Sequence, residues 1–187
     1  MNKRVNTAGG MIKPRQNSVI TVRRSPLDAR RGLLRLEHLT VPTALGRSGI
    51  GSGKREGDGK TPRSAMRLLY GFYRVDRIAR PATRLPMLAL KPGMLWCDAP
   101  NHPAYNSMVT GPLSASHETL MRDDHLYDVC LVMDWNIQCR KRGGGSAIFL
   151  HLARPGYSPT EGCVAVSLPD MRRLLSIARY GTVVKVL

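Results

Sequence analysis

Aromatic side chains are scarce in this 187-residue chain: two Trp, six Tyr and two Phe make up 5% of it. Binding single strands by stacking bases on aromatic rings draws on more of them, so that mode is disfavoured. Acidic residues are also few, 13 against 29 Lys and Arg, which leaves a formal net charge of +16. Such a balance suits polyanionic or carboxylate-rich company without choosing among candidates. No apolar run approaches the ~20 residues needed to cross a bilayer, so no transmembrane segment is expected. The basic residues of 1–18 are followed by no apolar stretch and are interrupted by Gly9, Gly10 and Pro14. No secretory signal is read there, and a cytoplasmic location is expected, with a periplasmic one by another route left open.

Cysteine is sparse and unpatterned. Cys97, Cys130, Cys139 and Cys163 form no CxxC pair, which argues against a zinc ribbon or any other metal site. Without an export signal, disulfides are not expected. Cys130, inside the apolar run from Val129 to Met133, reads as a small core residue. Cys97 and Cys139 read as incidental neighbours of loops. The Gly-rich stretch 46–62 lacks the GxxxxGK[ST] spacing of a phosphate-binding loop, and Pro62 opposes a helix there. It reads as a flexible surface loop, and no cofactor is expected.

What remains is globular: 42% hydrophobic residues in a chain of one-domain length. Residues 1–17 read as a flexible basic arm and 18–187 as a single domain. The β-branched run at 18–23 and the leucine-rich runs at 33–36 and 39–41 predict a meander of short strands. Residues 67–75 predict one or two strands, with Gly71 as a bulge or turn. Pro81, Pro86, Pro92, Pro100, Pro103 and Pro112 forbid long regular elements between 76 and 127. Strands are predicted again at 127–134 and 146–152. Ser167, Pro169 and Asp170 then start a helix whose stripe is Leu168, Met171, Leu174, Leu175 and Ala178. Gly181 ends it, and 182–187 is a terminal strand. The fold class is β-rich α+β.

Two residues can carry chemistry. His151 stands near the end of an apolar strand, and Cys163 follows twelve positions later, directly after Gly162. If the intervening loop folds back, the imidazole can meet the thiol. Gly162 would let a substrate approach the backbone and free amide N–H groups to face an oxyanion. A core histidine and a core cysteine remain the plainer alternative at this point.

The run from Ser146 through His151 to Thr160-Glu161-Gly162-Cys163 resembles the active-site segment of the L,D-transpeptidase catalytic-domain family. That family carries a strand-ending histidine, a loop and then Ser/Thr-His-Gly-Cys. Gly57-Asp58-Gly59-Lys60-Thr61-Pro62 is similar to its Gly-Asp-x-x-Thr-Pro stretch. Tyr105-Asn106, Ser116-His117-Glu118 and the run from Arg122 to Asp128 look like a compact branch. Glu161 stands where the family usually has histidine, and Ala165 where many members have Arg or Asn. The loop after His151 is short.

The resemblance implies a β-sandwich of mixed sheets with a helix after the nucleophile. It implies that Cys163 attacks a peptidoglycan stem peptide at its third residue, expels D-alanine and leaves a thioester. An amine, such as a D-amino acid, or water then takes the acyl group. His151 would be the base, oriented by the carbonyl of Leu152, with the amides of Gly162 and Cys163 around the oxyanion. Arg154, Tyr157 and Glu161 would face the substrate. A cytoplasmic member would act on recycled muropeptides or precursors. The alternative is a catalytically idle basic module that binds nucleic acid or another anionic surface. No helix-turn-helix, RNA-recognition or KH signature favours nucleic acid as its partner, and none is expected.

Overall fold

In the computed structural model, which describes residues 19–187, the chain begins with the expected antiparallel meander. It comprises Val19–Arg24 (β1), Arg31–Leu36 (β2) and Leu39–Ala44 (β3). Alternation decides its faces: Ile20, Val22, Leu34, Leu36 and Val41 are buried, whereas Arg23, Leu33 and Arg35 are exposed. The basic arm expected over 1–17 lies outside the described residues. Ile50–Gly51 (β4) and Thr61–Pro62 (β5) pair in parallel within the Gly-rich stretch. Ala65–Tyr73 (β6) is one strand running straight through Gly71, not two. Gly71 serves close packing there, since a Cβ would lie 2.7 Å from the side chains of Leu131 and Met87.

The proline-rich stretch does exclude long elements, yet it holds four short strands that its composition hides. They are Met87–Ala89 (β7), Met94–Cys97 (β8), Ser107–Thr110 (β9) and His117–Thr119 (β10). The last three form a separate antiparallel sheet in the order β10-β8-β9. Cys97 is accordingly a fully buried strand residue, not a loop neighbour. Val129–Met133 (β11), Phe149–Leu152 (β12) and Val164–Val166 (β13) follow, then the helix Leu168–Ile177 (α1) and Val183–Val186 (β14). Ser167 caps α1: its Oγ accepts from the Asp170 amide at 3.3 Å and donates to the Asp170 carboxylate at 2.6 Å. The helix stops at Ile177, before Gly181. That glycine, at φ +80°, belongs to the turn into β14.

The large sheet runs β11-β12-β13-β3-β2-β1-β14-β6-β7, and β11 also pairs with β6. The two layers of the sandwich are thus joined into a closed ring. Its interior is filled by residues such as Ile20, Leu34, Leu68, Leu131 and Leu150, and α1 packs Met171, Leu174 and Leu175 against them. A second, smaller cluster contains Phe72, Trp96, Leu120, Tyr127, Cys130, Val132, Phe149 and Cys163. Trp96 and Leu120 bring the small sheet onto the outer side of β6, β11 and β12. Every residue of β11 and β12 is therefore buried, as expected for strands covered on both faces.

Candidate active site

The period of two along a strand places the two chemical residues. In β12, Leu150 and Leu152 belong to the ring interior and Phe149 belongs to the second cluster. His151 shares the side of Phe149. In β13, Val164 and Val166 point into the interior, so Cys163, just before the strand, shares that other side. The strands are parallel neighbours, with Leu150 opposite Val164 and His151 opposite Ala165. His151 and Cys163 consequently line one cavity of about 310 Å³, along with Lys54, Glu118, Arg122, Tyr127 and Arg154.

Cys163 is buried at 8% exposure. Its S–H donates to the Ala147 carbonyl at 3.2 Å, and its sulfur accepts from the Phe149 amide at 3.4 Å. Burial pushes the thiol up to about 12, and the Phe149 hydrogen bond and the Lys54 charge only partly oppose this. At neutral pH the sulfur is a thiol and needs a base before it can attack.

His151 supplies a neutral imidazole of fixed tautomer. Its Nδ1 lies 2.9 Å from the Leu152 carbonyl, which can only accept, so Nδ1 carries the hydrogen and Nε2 keeps its lone pair. The Tyr127 ring stands edge-on to it, with centroids 5.3 Å apart. Burial pulls the imidazole down to about 4 from 6.5, and the Arg122 and Arg154 charges add to the effect. The folded state therefore binds fewer protons here than the unfolded chain between those two values. The stability contributed is fully present above pH 6.5 and is lost as pH falls through 4. The shift corresponds to about 3 kcal/mol. Urea titrations at pH 7 and pH 4 are expected to show a larger acid loss in the wild type than in His151→Gln.

The Gly-rich stretch does not float as a flexible surface loop; it docks beneath Cys163. The Arg47 amide donates to the Thr160 carbonyl at 2.8 Å, and the Thr160 amide donates to the Leu45 carbonyl at 2.9 Å. The Thr61 and Thr160 hydroxyls both donate to the Cys163 carbonyl, at 3.3 and 2.7 Å. Gly162, at φ +137°, admits no side chain, because a Cβ would lie 2.8 Å from the Lys60 carbonyl oxygen. Its amide is not free for an oxyanion, since it donates to Thr160 Oγ1 at 3.2 Å.

Residues 28–186 match the family model of YkuD, described as the L,D-transpeptidase catalytic domain. The chain belongs to that family. No curated protein and no solved structure matches it.

Within this YkuD domain the remaining expected site residues divide. Arg154 lines the cavity, half exposed, with a loose 3.4 Å contact to Asp124. Glu161 stands at the rim, 75% exposed, with its carboxylate 2.8 Å from Arg47 Nε. Tyr157, in the short 3₁₀ turn Pro155–Tyr157, does not line the cavity. It borders a separate groove on the outer face of β1–β3, where Arg31 Nη2 donates to the Gly156 carbonyl at 2.7 Å and ties the turn to β2. Lys54, Asp98, Glu118, Arg122 and Tyr127 of the YkuD domain also line the cavity, and sequence reasoning assigns none of them to it. Glu118, Arg122 and Tyr127 fall within stretches that resemble the family. Lys54 and Asp98 carry no such signal. Among the described residues no group of three or more His, Cys, Asp or Glu is arranged to hold a metal, and no helix is long and apolar enough to cross a membrane.

Proposed function

We propose that this domain is a cysteine acyltransferase of peptidoglycan stem peptides. The observation that carries the reading is the pair of neutral groups on one side of adjacent parallel strands. Cys163 is held as a thiol, and His151 is locked with Nε2 free to receive its proton. His151 Nε2 takes the thiol proton as the sulfur–carbon bond forms at the scissile carbonyl. The tetrahedral intermediate then collapses. The leaving amine departs with the proton from His151, and a thioester remains on Cys163. An incoming amine or water reverses the sequence and releases the acyl group, which gives transfer or L,D-carboxypeptidase activity.

The cavity wall suits a zwitterionic peptide. Arg122 and Arg154 offer planar donors to a carboxylate, and Glu118 and Asp98 offer acceptors to an ammonium group. Burial raises the pKa of Glu118, opposed mainly by Arg122. Mass spectrometry of a disaccharide-tetrapeptide incubated with the protein, with and without D-amino acids, tests the reading. The expected result is loss of the terminal D-residue, exchange when a D-amino acid is present, and an acyl adduct on the peptide containing Cys163. No adduct and no product from folded protein overturns it.

A further inference from the structure

A buried lysine lines the cavity that holds Cys163 and His151. The Lys54 side chain is only 3% exposed and lines the cavity with Cys163. Two glycines with positive φ make room for it. A Cβ on Gly145 (φ +90°) would lie 2.8 Å from Lys54 Cγ, and one on Gly162 would lie 3.3 Å from its Nζ. The ammonium group is thereby set against the backbone immediately before the nucleophile.

An ammonium has three donors. Asp58 Oδ1 takes one at 2.5 Å and is its hydrogen-bond acceptor among the described residues. Asp58 is itself fixed by the amides of Arg55 and Lys60, at 2.8 and 2.9 Å. Burial would raise its pKa, but the hydrogen bonds from Lys54 and these amides hold the carboxyl below its ordinary value. The lysine is therefore anchored at one N–H with the others available to the cavity. The Gly162 amide, one of the two donors that the family resemblance offers to an oxyanion, is engaged by Thr160.

We propose that Lys54 is a catalytic residue whose ammonium donates to the oxyanion of the tetrahedral intermediate on Cys163, in place of the Gly162 amide. The proposal rests on the acyl-transfer reading but not on the identity of the substrate. As the Sγ–C bond forms, the carbonyl π pair moves to oxygen and is met by a Lys54 N–H. The thiol proton goes to His151 Nε2. On collapse the π bond re-forms, the leaving group departs with the proton from His151, and Lys54 keeps its own protons throughout. The other charges that bear on the thiol are Glu118 and Glu161, which oppose its ionisation, while Lys54 favours it.

The test uses p-nitrophenyl acetate, which needs the same oxyanion but no stem peptide. The Cys163 Sγ–C bond forms, the ester C–O bond breaks, and p-nitrophenolate is released. Because Cys139 is exposed, parent and variants carry Cys139→Ser. In Lys54→Met, acylation at Cys163 is expected to slow by about 10²-fold or more, as for loss of one oxyanion donor. The pH at which iodoacetamide alkylates Cys163 is expected to rise, a change that a purely structural lysine would not produce. Lys54→Met/Asp58→Asn, which leaves no carboxylate without its cation, is expected to behave alike and carries the test if the single variant does not fold. Acylation within about threefold of the parent in either folded variant overturns the proposal. So does failure of both to fold, since a structural role then suffices. If the parent is acylated by the ester but turns over no muropeptide, the substrate reading fails while the role of Lys54 stands.

Discussion

Cys163→Ala is expected to give a folded protein that forms no thioester and turns over nothing. In the proposed mechanism the sulfur is the attacking atom, and no nearby group replaces it. Cys130 lies fully buried in β11, Cys97 fully buried in β8, and Cys139 outside on the surface. The substitution removes the acceptor of the Phe149 amide and the donor to the Ala147 carbonyl. Lost hydrogen bonds of this kind cost about 1 kcal/mol each, which a domain of this size survives. A melting curve close to that of the wild type, beside absent product and absent acyl adduct, is the expected pair of results. Cys97→Ala and Cys139→Ser should keep full activity. Product formation by Cys163→Ala would end the covalent mechanism.

His151→Gln is expected to slow turnover by at least ~10²-fold, the ordinary cost of losing a general base. The pH dependence is the more telling measurement. In the wild type the imidazole stays neutral down to about 4, so the acid limb of the rate profile should fall there and not near 6.5. Without the base, the residual rate should follow the thiolate fraction, rising about tenfold per pH unit below the thiol's own raised value. An unchanged profile would assign the proton to another group. His117 and His125 are poor substitutes: neither lines the cavity, and His125 is largely exposed and paired with Asp128 at 2.7 Å.

Both residues are legible in the amino-acid sequence, because each belongs to a local pattern. His151 closes an apolar strand, and Cys163 follows a glycine in a tetrad that resembles the family's. The helix α1 is equally legible, since its cap and stripe are contiguous in sequence. The β1–β3 meander declares itself by alternation of period two. The β8–β10 sheet does not: its strands are three or four residues long, too short for alternation to register. Their identity comes from pairing with one another across irregular loops, which composition does not report.

The same reason explains why Lys54 is hidden. In sequence it is one cation among 29, in a stretch that reads as mobile glycine loop. Only tertiary contacts with Thr160, Cys163 and Gly145 press that stretch under the candidate nucleophile and bury the ammonium. Glu161 shows the converse. Its place beside Gly162 is plain in the sequence, but Arg47, brought across by the docked loop, holds the carboxylate at the rim, from where its charge still opposes ionisation of the thiol. The sequence by itself determined the fold class and the candidate pair His151 and Cys163, because strand period, capping and a family motif are local properties. Tertiary structure alone decided which charges surround that pair, because those come from loops distant in sequence, and electrostatic influence depends on separation in space.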